Sequence, residues 1–174
     1  NNRRNFIKNL GALGLLLGTT KLDLSAQTKS TRSTTSTKIN KPIVLSTWRF
    51  GLEANAEAWK VLGKNGTALD AVEQGVKLVE ADPNERSVGY GGRPDRDGKV
   101  TLDACIMDDQ ANIGSVAALE YIKHPISVAR KVMEDTPHVM LVGNGALQFA
   151  LEKGFKKENL LTDVSEKEWK EWLK

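Results

Sequence analysis

The sequence predicts a layered α/β or α+β domain of ordinary size behind an N-terminal extension. Three observations carry this. Short runs rich in β-branched and apolar residues, at Ile43–Thr47, Val100–Met107, Ile113–Ala117 and His138–Val142, read as strands separated by helical stretches. The stretch Thr67–Glu80 spaces its aliphatic residues as a helix that covers a sheet does. Between them, Ser87-Val-Gly-Tyr-Gly-Gly92 brings glycines 89, 91 and 92 close together ahead of the strand at Val100. Such a loop takes positive φ or allows close approach, and loop-into-strand is a common way to place a site at a sheet edge. The same loop serves equally well as a simple tight connection.

The elements follow in order. Ile43-Val-Leu-Ser-Thr47, directly after Lys41-Pro42, is expected to be a short buried strand. A helix from about Ala54 to Leu62 ends at Gly63 and Asn65-Gly66. Thr67 caps the next helix, with Asp70 at the third position favouring its N-terminus. Leu69, Val72, Val76 and Val79 are assigned to its apolar face, and Asp70, Glu73, Gln74, Lys77 and Glu80 to its polar face. Asp95-Arg-Asp97-Gly98 lacks the later ligands and the Glu of a calcium loop, so it reads as an Asp-Gly hairpin turn entering the strand at Lys99. Val100–Met107 and Ile113–Ala117 are expected to pair antiparallel. Within the first, Asp103 is expected to be a paired, buried carboxylate of structural role, and Cys105 a small core residue. A helix begins near Pro125, where the missing N–H is harmless, and runs to about Met133. His138–Val142 is a further buried strand; Gly143-Asn144-Gly145 turns it into a helix over Ala146–Glu152 that ends at Gly154. Ser165 with Glu168 forms a capping-box pattern ahead of a last helix bearing Trp169, Trp172 and Leu173. The helix faces outnumber what these few strands can cover, so further sheet is expected from downstream sequence.

Composition narrows the function. Seven basic residues and a single acid, Asp23, precede Lys41, while the body carries 18 basic and 21 acidic residues. The basic balance of the whole chain is therefore a property of its first residues, and no basic stripe with interleaved aromatics points to nucleic acid. Arg3-Arg4-Asn5-Phe6-Ile7-Lys8 followed by an apolar, glycine-punctuated run to Gly18 has the layout of a twin-arginine export signal. Its apolar run is too short for stable membrane insertion. Residues 1–26 are read as this signal, with periplasmic destination, and residues 27–40 as a disordered Ser/Thr-rich linker. The single cysteine excludes an intrachain disulfide. His124 and His138 are the only histidines and have no ligand-spaced neighbours, so neither a metal site nor a Ser-His-Asp triad is expected in this chain.

Four ordered pieces carry a family resemblance: Ser46-Thr-Trp-Arg-Phe50, Ala68-Leu-Asp-Ala-Val72, the loop Ser87–Gly92 running into Leu102-Asp-Ala-Cys-Ile-Met-Asp108, and Ile126-Ser-Val-Ala-Arg-Lys-Val132 ahead of His138-Val-Met-Leu-Val-Gly143. In this order they resemble the α-subunit region of the glycosylasparaginases, N-terminal nucleophile hydrolases, and the likeness covers residues 41–174. The Trp-x-Phe signature favours that branch over the related isoaspartyl peptidases and plant-type asparaginases. The resemblance implies an αββα four-layer sandwich of which only the α-subunit part is present. It implies a precursor that cuts itself before a threonine, in a His-Asp-Thr segment that does not occur in this sequence. The freed threonine heads a β subunit and is the nucleophile, so no catalytic residue is assigned in this chain. The β subunit from the same precursor, an (αβ)2 assembly, a glycosylasparagine substrate and the absence of any cofactor are implied in the same way. Trp48, Phe50 and Ser87 match substrate-side positions of the family. Arg49 departs from it, standing where a smaller uncharged residue is expected. The alternatives are an isoaspartyl peptidase or asparaginase of the same superfamily, and a non-catalytic α/β binding module.

Overall fold

A computed structural model describes residues 41–174; the signal and linker assignments for residues 1–40 lie outside the described residues. The described part is α+β: a mixed three-stranded sheet and five helices.

Residues 43–47 form no strand. Ile43 and Leu45 are exposed, and none of the described strands lies beside them to accept their main-chain hydrogen bonds. Apolarity favours burial, but a strand also needs a partner edge. Helix α1 (Gly51–Leu62) starts ahead of the expected position, with Phe50 as an N-cap that makes no side-chain bond. Helix α2 (Ala68–Glu80) is capped as expected: Thr67 Oγ1 accepts the Asp70 N–H at 3.1 Å, and the Asp70 carboxylate accepts the Thr67 N–H at 3.4 Å.

The buried face of α2 departs from the expected one. Ala71, Gly75, Val79 and Glu80 are buried, whereas Val72 is half exposed. The reason is close packing on α1: a Cβ at position 75 would stand 2.8 Å from the Ala54 carbonyl oxygen. Small residues, with Ala58 opposite, let the helices approach, so the contact stripe follows them rather than the larger aliphatics.

Strands β1 (Thr101–Met107) and β2 (Ile113–Glu120) pair antiparallel, and β2 pairs in parallel with β3 (Met140–Val142), giving the order β1-β2-β3. The register shifts between Leu102 and Ala104. There Asp103 is exposed and its carboxylate accepts the Ala118 N–H at 2.7 Å, filling the gap in the ladder. It is thus not the buried carboxylate anticipated. Along β1, Leu102 and Ile106 point into the core while Thr101, Asp103, Cys105 and Met107 face out. Cys105 is accordingly exposed, on the side of β1 opposite Leu102 and Ile106, and is not a core residue. The stretch from His138 to Val142 shrinks to the three residues of β3, with Met140 and Val142 exposed rather than buried.

Helix α3 (Pro125–Asp135), with Pro125 in its first turn, lies on the inner sheet face. Val128, Ala129 and Val132 are wholly buried there, against Ile106, Val116 and Leu119. Gly114 makes this possible: a Cβ on it would fall 2.1 Å from the Ala129 carbonyl oxygen. Helix α4 (Gly143–Glu152) begins at Gly143 itself and buries Ala146 and Ala150 in the same core. Helix α5 (Asp163–Trp172) is capped by Thr162, whose hydroxyl accepts the Ser165 N–H, and not by Ser165. Ser165 is buried; its hydroxyl donates to the Gly91 carbonyl at 2.5 Å and receives Arg86 Nη1 at 2.6 Å. The Asp95–Gly98 turn is present, with Asp95 Oδ1 accepting the N–H groups of Asp97 and Lys99 and Gly98 at φ +83°, although the strand begins only at Thr101.

Candidate functional site

A cavity of about 450 Å³ opens where the end of α2, the glycine loop, β1 and the start of α3 converge. Trp48, Phe50 and Ser87 all line it, so residues from two separate loops meet in one place. Trp48 is 72% exposed, a ring held at the mouth rather than in the core. Phe50 is half-buried as α1 begins. Arg49, between them, is exposed and is not among the lining residues. The backbone explains the presentation: the Gly51 N–H donates to the Trp48 carbonyl at 2.9 Å, turning the chain into α1 just after the aromatic pair.

Ser87 is exposed, and both its hydroxyl and its N–H donate to the Glu85 carboxylate, at 2.5 Å and 2.9 Å. This local turn sets the entrance to the glycine loop. The loop is then pinned at successive residues: the Tyr90 N–H donates to the Glu80 carbonyl and the Gly91 N–H to the Leu160 carbonyl, both at 2.8 Å. Gly89 has φ +61° and Gly91 φ +87°, conformations other residues rarely take. The glycines therefore do more than connect: they let the loop lie against the α2 terminus and form one wall of the cavity.

Glu80 also lines this cavity, and sequence reasoning missed it by placing it on the polar face of α2. Its side chain is buried. The carboxylate accepts the Ile126 N–H at 3.0 Å and lies 3.2 Å from His124 Nδ1. Burial pushes its carboxyl above the ordinary range, against the opposing pull of the bonds from His124 and Ile126. The Ile126 N–H belongs to the first turn of α3 and has no partner within its own helix, so the carboxylate satisfies an orphan donor. Nothing in the local sequence around Glu80 signals this; its partners lie more than forty residues away.

Chemically, the cavity lining supplies the aromatic surface of Trp48 and Phe50, several hydroxyls including that of Ser87, the Cys105 thiol, and the carboxylates of Glu80 and Asp103, of which only Glu80 is buried. Among the described residues no Ser, Thr or Cys side chain bonds a histidine ring; His124 is engaged with Glu80. The cavity thus has the character of a binding wall rather than of a complete nucleophile–base pair.

Comparison with known proteins places the chain in a family. An asparaginase family model matches residues 31–174. The chain is 69% identical over its whole length to an N(4)-(β-N-acetylglucosaminyl)-L-asparaginase of Elizabethkingia miricola, covering 50% of that protein. It is 46% identical over 133 residues to the protein of that name from Rattus norvegicus, covering 76% of this chain and 38% of the relative. The Mus musculus counterpart is 45% identical over the same share of each chain. The chain thus spans half, or less, of the length of these curated relatives. With a family model matching across the entire described fold and relatives of that family at 45–69% identity, this chain belongs to the asparaginase family.

Proposed function

We propose that this chain forms the N-terminal part of an exported glycosylasparaginase, an amidohydrolase that cleaves the bond between asparagine and N-acetylglucosamine. The observation that carries the reading is the meeting of Trp48, Phe50 and Ser87 on one cavity. The names of the relatives above support the same activity.

The reaction explains why a binding wall without a nucleophile is useful. A threonine hydroxyl is a poor nucleophile unless a base adjoins it. A threonine freed at a chain terminus carries its own α-amino group, whose pKa suits that work. In this proposal such a threonine comes from a β part of the same precursor. Its attack on the side-chain amide gives an oxyanion that needs preorganised donors. Loss of the glycosylamine leaves a β-aspartyl ester, and water then releases aspartate. No metal or organic cofactor is called for. Trp48 and Phe50 offer apolar surface to the substrate, and Ser87 a hydroxyl close to the reacting end.

One feature of the sheet supports a fuller architecture. Its inner face is covered by α3, but its outer face leaves Met107, Met140 and Val142 exposed. A second sheet supplied by the β part, packed on this face, completes an αββα sandwich, and two such αβ units form an (αβ)2 assembly. The curated relatives, about twice as long as this chain or more, leave room for that part.

Hydrolysis of glycosylasparagine and of β-aspartyl dipeptides by the complete gene product tests the reading. The expected result is clear preference for glycosylasparagine. Preference for the dipeptide would identify an isoaspartyl peptidase, and inactivity on both, with no cleavage of the precursor, a non-catalytic module.

A further inference from the structure

Glu80 is the only buried ionisable side chain among the described residues, at 2% exposure. It joins three segments. Its carboxylate holds the first turn of α3 through the Ile126 N–H and meets His124 in the preceding loop. Its main-chain carbonyl receives the Tyr90 N–H, and Gly89 lies against its main chain. The glycine loop so anchored starts at Ser87, and both residues line the same cavity.

A junction of helix ends does not itself require a charge. A buried carboxylate is an expensive way to make one, and well-packed neutral residues commonly serve as well or better. Direction is what the carboxylate adds: two acceptor oxygens, one for an orphan helix donor and one for an imidazole, fix the end of α2 in rotation as well as in distance. The other charged groups facing it are Lys77 on its own helix and, across the cavity, Asp103 of β1.

We propose that Glu80 is a positioning residue of this site: its carboxylate locks the end of α2 to α3, and its main chain thereby sets where the glycine loop holds Ser87 relative to Trp48. This rests on the cavity being the substrate wall of the proposed enzyme, and the test separates the two claims. In the complete protein, Glu80→Ala and Glu80→Gln are compared with wild type by amide hydrogen exchange and by kinetics on glycosylasparagine. Exchange of residues 87–92 should rise about tenfold or more in Glu80→Ala and less in Glu80→Gln, with the β2–α3 core unchanged. KM should rise about tenfold with kcat within about threefold of wild type. Adding Ser87→Ala to Glu80→Ala should cost clearly less than Ser87→Ala alone, because a misplaced serine has less to lose. If Glu80→Ala does not fold, the Glu80→Gln arm decides by the direction of the same changes: exchange of residues 87–92 and KM both above wild type support the assignment, and either unchanged overturns it. Unaltered loop exchange, uniformly faster exchange throughout the domain, or strictly additive kinetic losses would overturn the assignment. Wild-type protein inactive on glycosylasparagine would remove the proposed function, and the loop exchange would still judge the coupling.

Discussion

A Cβ added to Gly89 would stand 2.0 Å from the carbonyl oxygen of Glu80, so loop and helix end touch main chain to main chain. Gly89→Ala adds a left-handed backbone penalty to that overlap, since φ is +61°. The obstructing atom is backbone and cannot swing aside. The expected loss is about 3 kcal/mol, with activity falling further than the fraction of unfolded molecules explains. Denaturant unfolding with activity per folded molecule checks this; a loss under about 1 kcal/mol would show that the loop re-forms elsewhere.

Arg130 of α3 bonds Asp70 at 2.6 Å and Glu73 at 2.8 Å on α2, and Glu134 at 2.7 Å on its own helix. Arg130→Met should destabilise by about 2 kcal/mol, an allowance for charge-assisted bonds partly screened by solvent. The cluster also sets an acid response. Bonds from Thr67 and then Arg130 hold the Asp70 carboxyl below its usual range. Burial pushes Glu134 up, but Arg130 and Lys131 outweigh it and leave it lowered. Groups lowered on folding stabilise at neutral pH, and that stabilisation fades as pH falls below their ordinary values of 3.8 and 4.5. Glu80, raised by burial, acts in the opposite sense: its contribution is present in acid and is lost as pH rises through its folded value. Melting temperature against pH should therefore fall in acid for wild type and fall less for Arg130→Met. Parallel curves would mean that the cluster is not the acid-sensitive element.

What was legible in the sequence was local. The Thr67–Asp70 cap, Pro125 at a helix start and the Asp95–Gly98 turn each depend on residues within one turn of chain, and each is present. Composition marked Val100–Met107 as a strand, but it does not say which side chains a helix covers, so Cys105 was wrongly assigned to the core. The Ser165–Glu168 pattern misled because Gly91, distant in sequence, recruits the Ser165 hydroxyl and leaves the cap to Thr162. Glu80 was illegible for the same reason: only tertiary partners turn a polar-face position into a buried one. The aromatic pair and Ser87 were singled out through the ordered motifs, and their meeting on one cavity is a fact of three dimensions.

Trp48→Phe should separate site from core. With its ring 72% exposed, the substitution should change stability by no more than about 1 kcal/mol. The loss of indole surface at the cavity mouth should instead weaken turnover of glycosylasparagine by roughly tenfold or more. Thermal melting and steady-state kinetics on the complete protein check both. Severe unfolding with normal activity per folded molecule would make Trp48 a core residue of the full assembly.

The outer sheet face gives the sharpest contrast. Cys105 pairs with Ser115, and Ser115 with Met140; Ser115 is itself buried, and the side chains left open around it include Met107 at 61% and Val142 at 55% exposure. Apolar surface left wet forgoes about 25 cal/mol per Å², and exposed apolar side chains gathered on one face promote association. Residues 41–174 expressed alone should self-associate and bind a hydrophobic dye strongly. Met107→Lys with Met140→Lys should reduce both effects in that piece, because exposed lysines solubilise the face without disturbing the α3 side of the sheet. In the complete protein the same pair should do the reverse and block folding and precursor cleavage, since a covering layer would trap two unpaired charges. Opposite responses to one pair of substitutions are what a covered face demands. If the complete protein tolerates both lysines, folds and matures, nothing packs on this face, and the second sheet of the proposed sandwich must lie elsewhere.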